Sequence, residues 1–153
     1  MDGSQSLINF ELRKKLPFIS ITAVHRGIEF KTDNVLVDTG SAATIFASDY
    51  VREFWIDSEP EDKILKIVGV GGNEYVIEKR IDALIIDGVS IEDCIIQVGD
   101  MDYGFGINGV IGGDLLMRTK MFIDYERRAI LLKHVGWTSL AKSNGELKGS
   151  GLN

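Results

Sequence analysis

The chain has 153 residues, 44% of them hydrophobic and 26% charged, enough for one domain with an ordinary core. Lys and Arg number 17 against 23 Asp and Glu, a net charge of −6, and no basic run carries interleaved aromatics; a nucleic-acid surface is therefore not expected. One cysteine, Cys94, rules out an internal disulfide and a cysteine-rich metal site.

In chain order, residues 1–16 lack a basic start followed by an apolar run and read as an N-terminal extension, a candidate dimer-edge strand. Short runs rich in β-branched and aromatic residues follow at 18–24, 34–38, 63–70, 74–87, 90–98, 120–125 and 129–133, several alternating with period two, and all are expected to be strands. Their separators ("HRG", "GGN", "DGV", "YERR") suit tight turns, so hairpins should outnumber crossovers. Two segments read as short helices. Residues 48–55 have Ser48 or Asp49 as cap and Val51, Phe54 and Trp55 at helical spacing; residues 112–119 have Asp114 as cap before Leu115 and Leu116. Cys94 falls on the buried face of an alternating strand and reads as a core thiol. Residues 134–153, rich in Gly, Ser and Lys, read as a flexible C-terminal tail. No apolar run reaches the ~18 residues that cross a bilayer. The expectation is a soluble, cytoplasmic chain, any membrane tether lying outside these residues.

The informative anomaly is Asp38, a charge directly after the apolar residues 35–37. A buried carboxylate without partners costs several kcal/mol, so this one must accept hydrogen bonds, be protonated or face a cleft. Two readings stand at this point: an Asp that only caps the Thr39–Gly40 turn, or a reactive group.

Three stretches bear on that choice together. Residues 35–43, "VLVDTGSAA", resemble the catalytic loop of aspartic proteases; residues 67–75, "IVGVGGNEY", resemble the glycine-rich flap of the retroviral enzymes; residues 109–116, "GVIGGDLL", resemble the second signature, two apolar residues and a Gly leading into a short helix. The continuation at 117–133, "MRTKMFIDYERRAILLK", is similar to the helix and closing hairpin that follow it there. Order and spacing agree, and the resemblance, to the retropepsin-like aspartic proteases, spans about residues 17–133.

That resemblance implies an all-β half-barrel with one or two short helices, assembling as a two-fold dimer. It implies an endopeptidase acting on extended polypeptides, with Asp38 catalytic, Thr39, Gly40 and Ser41 supporting the loop, Gly69, Val70, Gly71 and Gly72 forming a substrate-binding flap, and Gly112 and Asp114 giving structural support. No metal or cofactor is implied. Peptide hydrolysis of this kind needs one ionised carboxylate to take a proton from water and one protonated carboxylate to bond the scissile carbonyl; the aspartic-protease dyad is itself the standard case of two carboxylates sharing a proton. The chain has a single Asp-Thr-Gly, so the second acid is expected from another copy, Asp38 facing Asp38 across a two-fold axis. Ser41 is expected to donate a hydrogen bond to the ionised carboxylate and extend activity toward acid pH.

His25 and His134 have no partner at nucleophile or metal spacing and read as surface or packing residues, Trp55 and Trp137 as core or interface anchors. Serine-hydrolase and phosphate-loop patterns are absent from the sequence. The alternative to an enzyme is a non-catalytic or latent module of the same fold that dimerises or binds peptides.

Overall fold

A strand reads as a strand when its side chains must alternate between core and solvent, and residues 28–33, "IEFKTD", do so: Phe30 and Thr32 point inward, Glu29, Lys31 and Asp33 outward. In the computed structural model, which describes residues 5–52, 59–69, 72–100 and 106–133, they form the first half of a ten-residue strand, β4 (Ile28–Val37). The sequence reading began this strand at Asn34. That residue instead takes φ 57° within the strand and breaks its alternation, so that Val35, Leu36 and Val37 are all buried. β4 pairs antiparallel with β3 (Leu16–His25), and the register shifts between Ile19 and Ile21 to absorb the kink. The two are joined by Arg26 and Gly27, both at positive φ, the two-residue turn whose twist matches a hairpin.

The other elements are β1 (Gln5–Asn9), β2 (Glu11–Arg13), β5 (Ile45–Ala47), α1 (Ser48–Arg52), β6 (Lys63–Gly69), β7 (Gly72–Ile86), β8 (Val89–Gly99), β9 (Gly109–Ile111), α2 (Gly113–Thr119), β10 (Phe122–Asp124) and β11 (Ala129–Lys133). Eight strands form one sheet in the order β2-β3-β4-β9-β5-β8-β7-β6, and a further pairing of β3 with β7 folds that sheet back on itself. Most of its neighbours are antiparallel, but β4 runs parallel to β9 and β5 parallel to β8. A separate three-stranded sheet has the order β1-β11-β10. The boundary expected at residue 17 therefore falls inside β3, and β1 and β2 are strands of these two sheets, β1 pairing within its own chain along β11 from Gln5↔Lys133 to Asn9↔Ala129.

Between the sheets lies one main apolar cluster built on Ile21, Val35, Phe46, Ile81, Leu84, Ile86, Ile96, Ile111, Ile130 and Leu132, with Cys94 in it as expected. Burying such side chains is worth roughly 1.5–3 kcal/mol each and holds the strand ends that carry the site.

Both helices differ from the sequence reading. Helix α1 is described over Ser48–Arg52 only, and Ser48 does not cap it: its hydroxyl donates to Asp100 Oδ1 at 2.6 Å. Helix α2 has Gly112, not Asp114, at its N-cap, because the Asp114 carboxylate is engaged elsewhere. Phe54, Trp55, Val70, Gly71, His134, Trp137 and the expected tail 134–153 lie outside the described residues. Among the described residues no helix is long and apolar enough to cross a membrane.

Candidate active site

The end of β4, Val35–Val37, and the three-residue β9 are buried, and they lie side by side in parallel register, Val35↔Gly109, Leu36↔Val110 and Val37↔Ile111. Both leave the sheet at the same level, one into Asp38 and the other into Gly112. The Asp38 N–H donates to Ile111 O at 3.0 Å, the last bond of this ladder. The chain then turns sharply: Ser41 N–H donates to Asp38 O at 3.2 Å, and Gly40 N–H donates to Asp38 Oδ1 at 2.9 Å. An Asp side chain bonded two residues ahead is the ordinary way to hold such a turn. Asp38 is half-buried, while Thr39 and Gly40 are exposed, and Thr39 has no hydrogen bond to the described residues. One carboxylate oxygen is thus fixed on the loop, and among the described residues no hydrogen bond holds the other.

A second set of bonds holds the loop from behind. Ser41 O and Ala42 O accept from Gly113 N–H at 2.7 Å and Asp114 N–H at 3.2 Å. Thr44 donates its N–H to Asp114 Oδ2 at 3.0 Å and its hydroxyl to Asp114 Oδ1 at 2.7 Å; the same hydroxyl accepts from Gly112 N–H at 3.2 Å. Asp114 Oδ1 also accepts from Leu115 N–H at 2.8 Å. Gly112 has no room for a side chain, since a Cβ there would press on Ala43 O and lie 2.7 Å from Ser41 O. The two loops are therefore one hydrogen-bonded unit, and Thr44, 1% exposed, is its hub. The sequence reading missed Thr44; only its place six residues after Asp38 could have drawn notice.

Ser41 does not act as expected. Its hydroxyl donates to Ala43 O at 2.8 Å, so its single proton stabilises the loop and is not offered to the Asp38 carboxylate.

Of the four residues expected to form a flap, Gly69 and Gly72 form the last pair of the β6–β7 hairpin, and Val70 and Gly71 fall outside the described residues. Strand β8 supports β7 only from Ile77 inward, so the five outermost pairs, Leu65↔Val76 to Gly69↔Gly72, form a two-stranded arm with no third strand among the described residues. Ile64, Ile67 and Tyr75 are exposed on this hairpin, whereas Val76 is buried against Gly99, where any side chain would collide with it. Among the described residues no hydrogen bond joins the arm to residues 38–44. The structure thus brings Asp38, Gly40, Ser41, Gly112 and Asp114 together and places the hairpin as a separate element. Among the described residues no group of three or more His, Cys, Asp or Glu could hold a metal ion.

Neither a family model nor a curated protein matches the chain. The crystal structure of a retropepsin-like aspartic protease from Rickettsia conorii does match, with a TM-score of 0.60, 17% identity, and coverage of 86% of this chain and 100% of that one. The fold is retropepsin-like. At that identity the likeness speaks for the backbone: a mostly β chain with few short helices, in which the loops after β4 and β9 meet at adjacent strand ends.

Proposed function

We propose that the protein is an aspartic endopeptidase in which water is activated between the Asp38 carboxylates of two copies of the chain. The observation that carries this reading is the treatment of Asp38. A retropepsin-like backbone ends a buried strand on a carboxylate, fixes one of its oxygens on Gly40 N–H, braces the loop through Thr44 and Asp114, and leaves Thr39 and Gly40 exposed beside it. A turn-capping Asp has no need of that bracing.

One carboxylate cannot be at once the base that accepts the water proton and the acid that bonds the carbonyl oxygen, so chemistry by this site requires a second. An isologous two-fold contact through the exposed Thr39–Gly40 face supplies it with the same residue. In this arrangement the ionised Asp38 takes a proton from water, the water oxygen bonds to the scissile carbon, and the protonated Asp38 of the partner donates to the carbonyl oxygen. Collapse of the tetrahedral species then breaks the C–N bond, with a proton passed to the leaving amine. The substrate lies extended, its backbone bonded by the arm and its apolar side chains set against the apolar residues around the loop.

Exposure of a diverse peptide pool to the protein at several pH values, with molecular mass measured alongside, tests the reading. Cleavage by a dimeric wild type and none by Asp38→Asn is expected. Cleavage retained by Asp38→Asn would overturn it, and a stable dimer silent in both forms would favour the non-catalytic module.

A further inference from the structure

The arm has a root as well as a tip, and the root holds buried charge. The β6–β7 ladder begins at Lys63↔Glu78; one step further out of the hairpin, the same register sets Asp62 opposite Lys79. Lys79 is 2% exposed, and its Nζ lies 2.9 Å from Asp62 Oδ2 and 3.0 Å from Glu59 Oε2. The Asp62 side chain is itself only 6% exposed. Both acids sit on one closed turn, in which Glu59 N–H donates to Asp62 Oδ2 at 2.7 Å and Asp62 N–H donates to Glu59 O at 3.0 Å. From the β3–β4 turn, Arg26 pairs with the other Glu59 oxygen. An open cavity of about 1130 Å³ adjoins this cluster, with His25, Arg26, Glu59, Asp62 and Asp82 in its wall and Asp38 not among its lining residues.

An apolar pair would close a hairpin root with less desolvation. What the ion cluster adds is direction, because an ammonium bonded to two carboxylates on one turn fixes the angle of the strand that follows. It also makes the arrangement all-or-none, since taking away one partner leaves a charge that the interior cannot hold. The arm reaches about 20 Å from this root to its tip at the usual rise per residue, so a small change of angle at Lys79 becomes a large displacement at Gly69 and Gly72.

We infer that Lys79 is a positioning residue: by pinning the Glu59–Asp62 turn it sets how the β6–β7 arm stands, and through the arm how tightly an extended chain is held. The second half of this statement rests on the peptidase reading, and the first half does not. The cluster is distinct from the Asp38 loop and acts on substrate only through the arm.

Hydrogen exchange read by mass spectrometry on the full chain, together with steady-state kinetics, separates the two halves. In Lys79→Met, amides of the arm (65–69 and 72–76) should exchange faster by on the order of tenfold or more, while those of β4 and β9 keep their protection. KM for an extended peptide should rise about tenfold with kcat within about twofold, the pattern of weakened binding with intact chemistry, and Lys79→Arg should restore both. Should Lys79→Met fail to fold, Glu59→Gln keeps the Asp62–Lys79 pair and should show the same localised loosening to a smaller extent. Unchanged arm exchange, or loss of protection spread evenly over all strands, would overturn the pinning. A loosened arm with unchanged KM would overturn the link to substrate, whereas a wild type that cleaves nothing counts against the peptidase reading and leaves the exchange result to decide the pinning.

Discussion

Thr44 gives both of its donors to Asp114, the N–H to one carboxylate oxygen at 3.0 Å and the hydroxyl to the other at 2.7 Å, across 70 residues of sequence. This bidentate bond ties the loop after β4 to the helix after β9. Asp114→Ala would strand two donors on a residue that is 1% exposed, at a cost of about 2–3 kcal/mol, while Asp114→Asn, with one acceptor oxygen left, should cost about half as much. Urea unfolding at neutral pH measures both. A cost under about 0.5 kcal/mol for the alanine variant would mean that the loop holds itself.

Gly112 should tolerate nothing larger. A Cβ at this position meets the carbonyl oxygens of Ala43 and Ser41, which are backbone and cannot swing aside. Gly112→Ala is expected to cost about 3 kcal/mol and to displace the loop that carries Asp38, so cleavage should fall more than the loss of folded protein accounts for. Activity normalised to the folded fraction checks this.

His25 gives the molecule an acid-side weakness. Burial holds its pKa below the ordinary 6.5, and the neighbouring charges of Lys79 and Arg26 add to this against the opposing pull of Glu59 and Asp82. The unfolded chain therefore takes up the proton first: the His25 contribution to stability is complete above pH 6.5 and is lost as pH falls through the depressed value. Glu59 is held below its ordinary 4.5, chiefly by the Lys79 hydrogen bond, so its own contribution persists above pH 4.5 and is lost only as pH falls through its lower folded value. Between pH 7 and 5 the decline thus belongs to His25 within this cluster, and His25→Gln should flatten the stability curve over that interval. Parallel slopes for wild type and variant in urea unfolding would contradict it.

Ser41→Ala is expected to leave the acid limb of the pH-rate profile where it is, because the hydroxyl proton is committed to Ala43 O. Its cost should be one neutral hydrogen bond, about 1 kcal/mol. An acid limb displaced upward in the variant would show that the hydroxyl turns to the carboxylate during cleavage.

What the sequence made legible follows from how locally each feature is determined. Period-two alternation marked the long strands β3, β7 and β8, and the Asp87–Gly88 turn, with both residues at positive φ, is a short-range signal that needs no tertiary context. Residues 28–33 were left out of the strand because nothing local joins them across the kink at Asn34; pairing with β3 before and after it, and Asn108 N–H on Asn34 O, makes one strand of the two halves. Asp114 looked like a helix cap for the same reason: its partner, Thr44, is far away in sequence. Asp38, Gly112 and Asp114 could be named from motif and order, but Thr44, the Ser41–Ala43 bond and the Lys79 cluster depend on contacts that no local pattern encodes.

Asp38 is proposed as half of a site completed by the same residue on a second chain. Wild-type cleavage measured at fixed concentration while Asp38→Asn protein is added in increasing excess tests this most directly, because mixed dimers hold one carboxylate where two are needed. Activity is expected to fall steadily toward zero as the excess grows. Activity that stays constant under excess Asp38→Asn, in a wild type shown to cleave, would contradict the account.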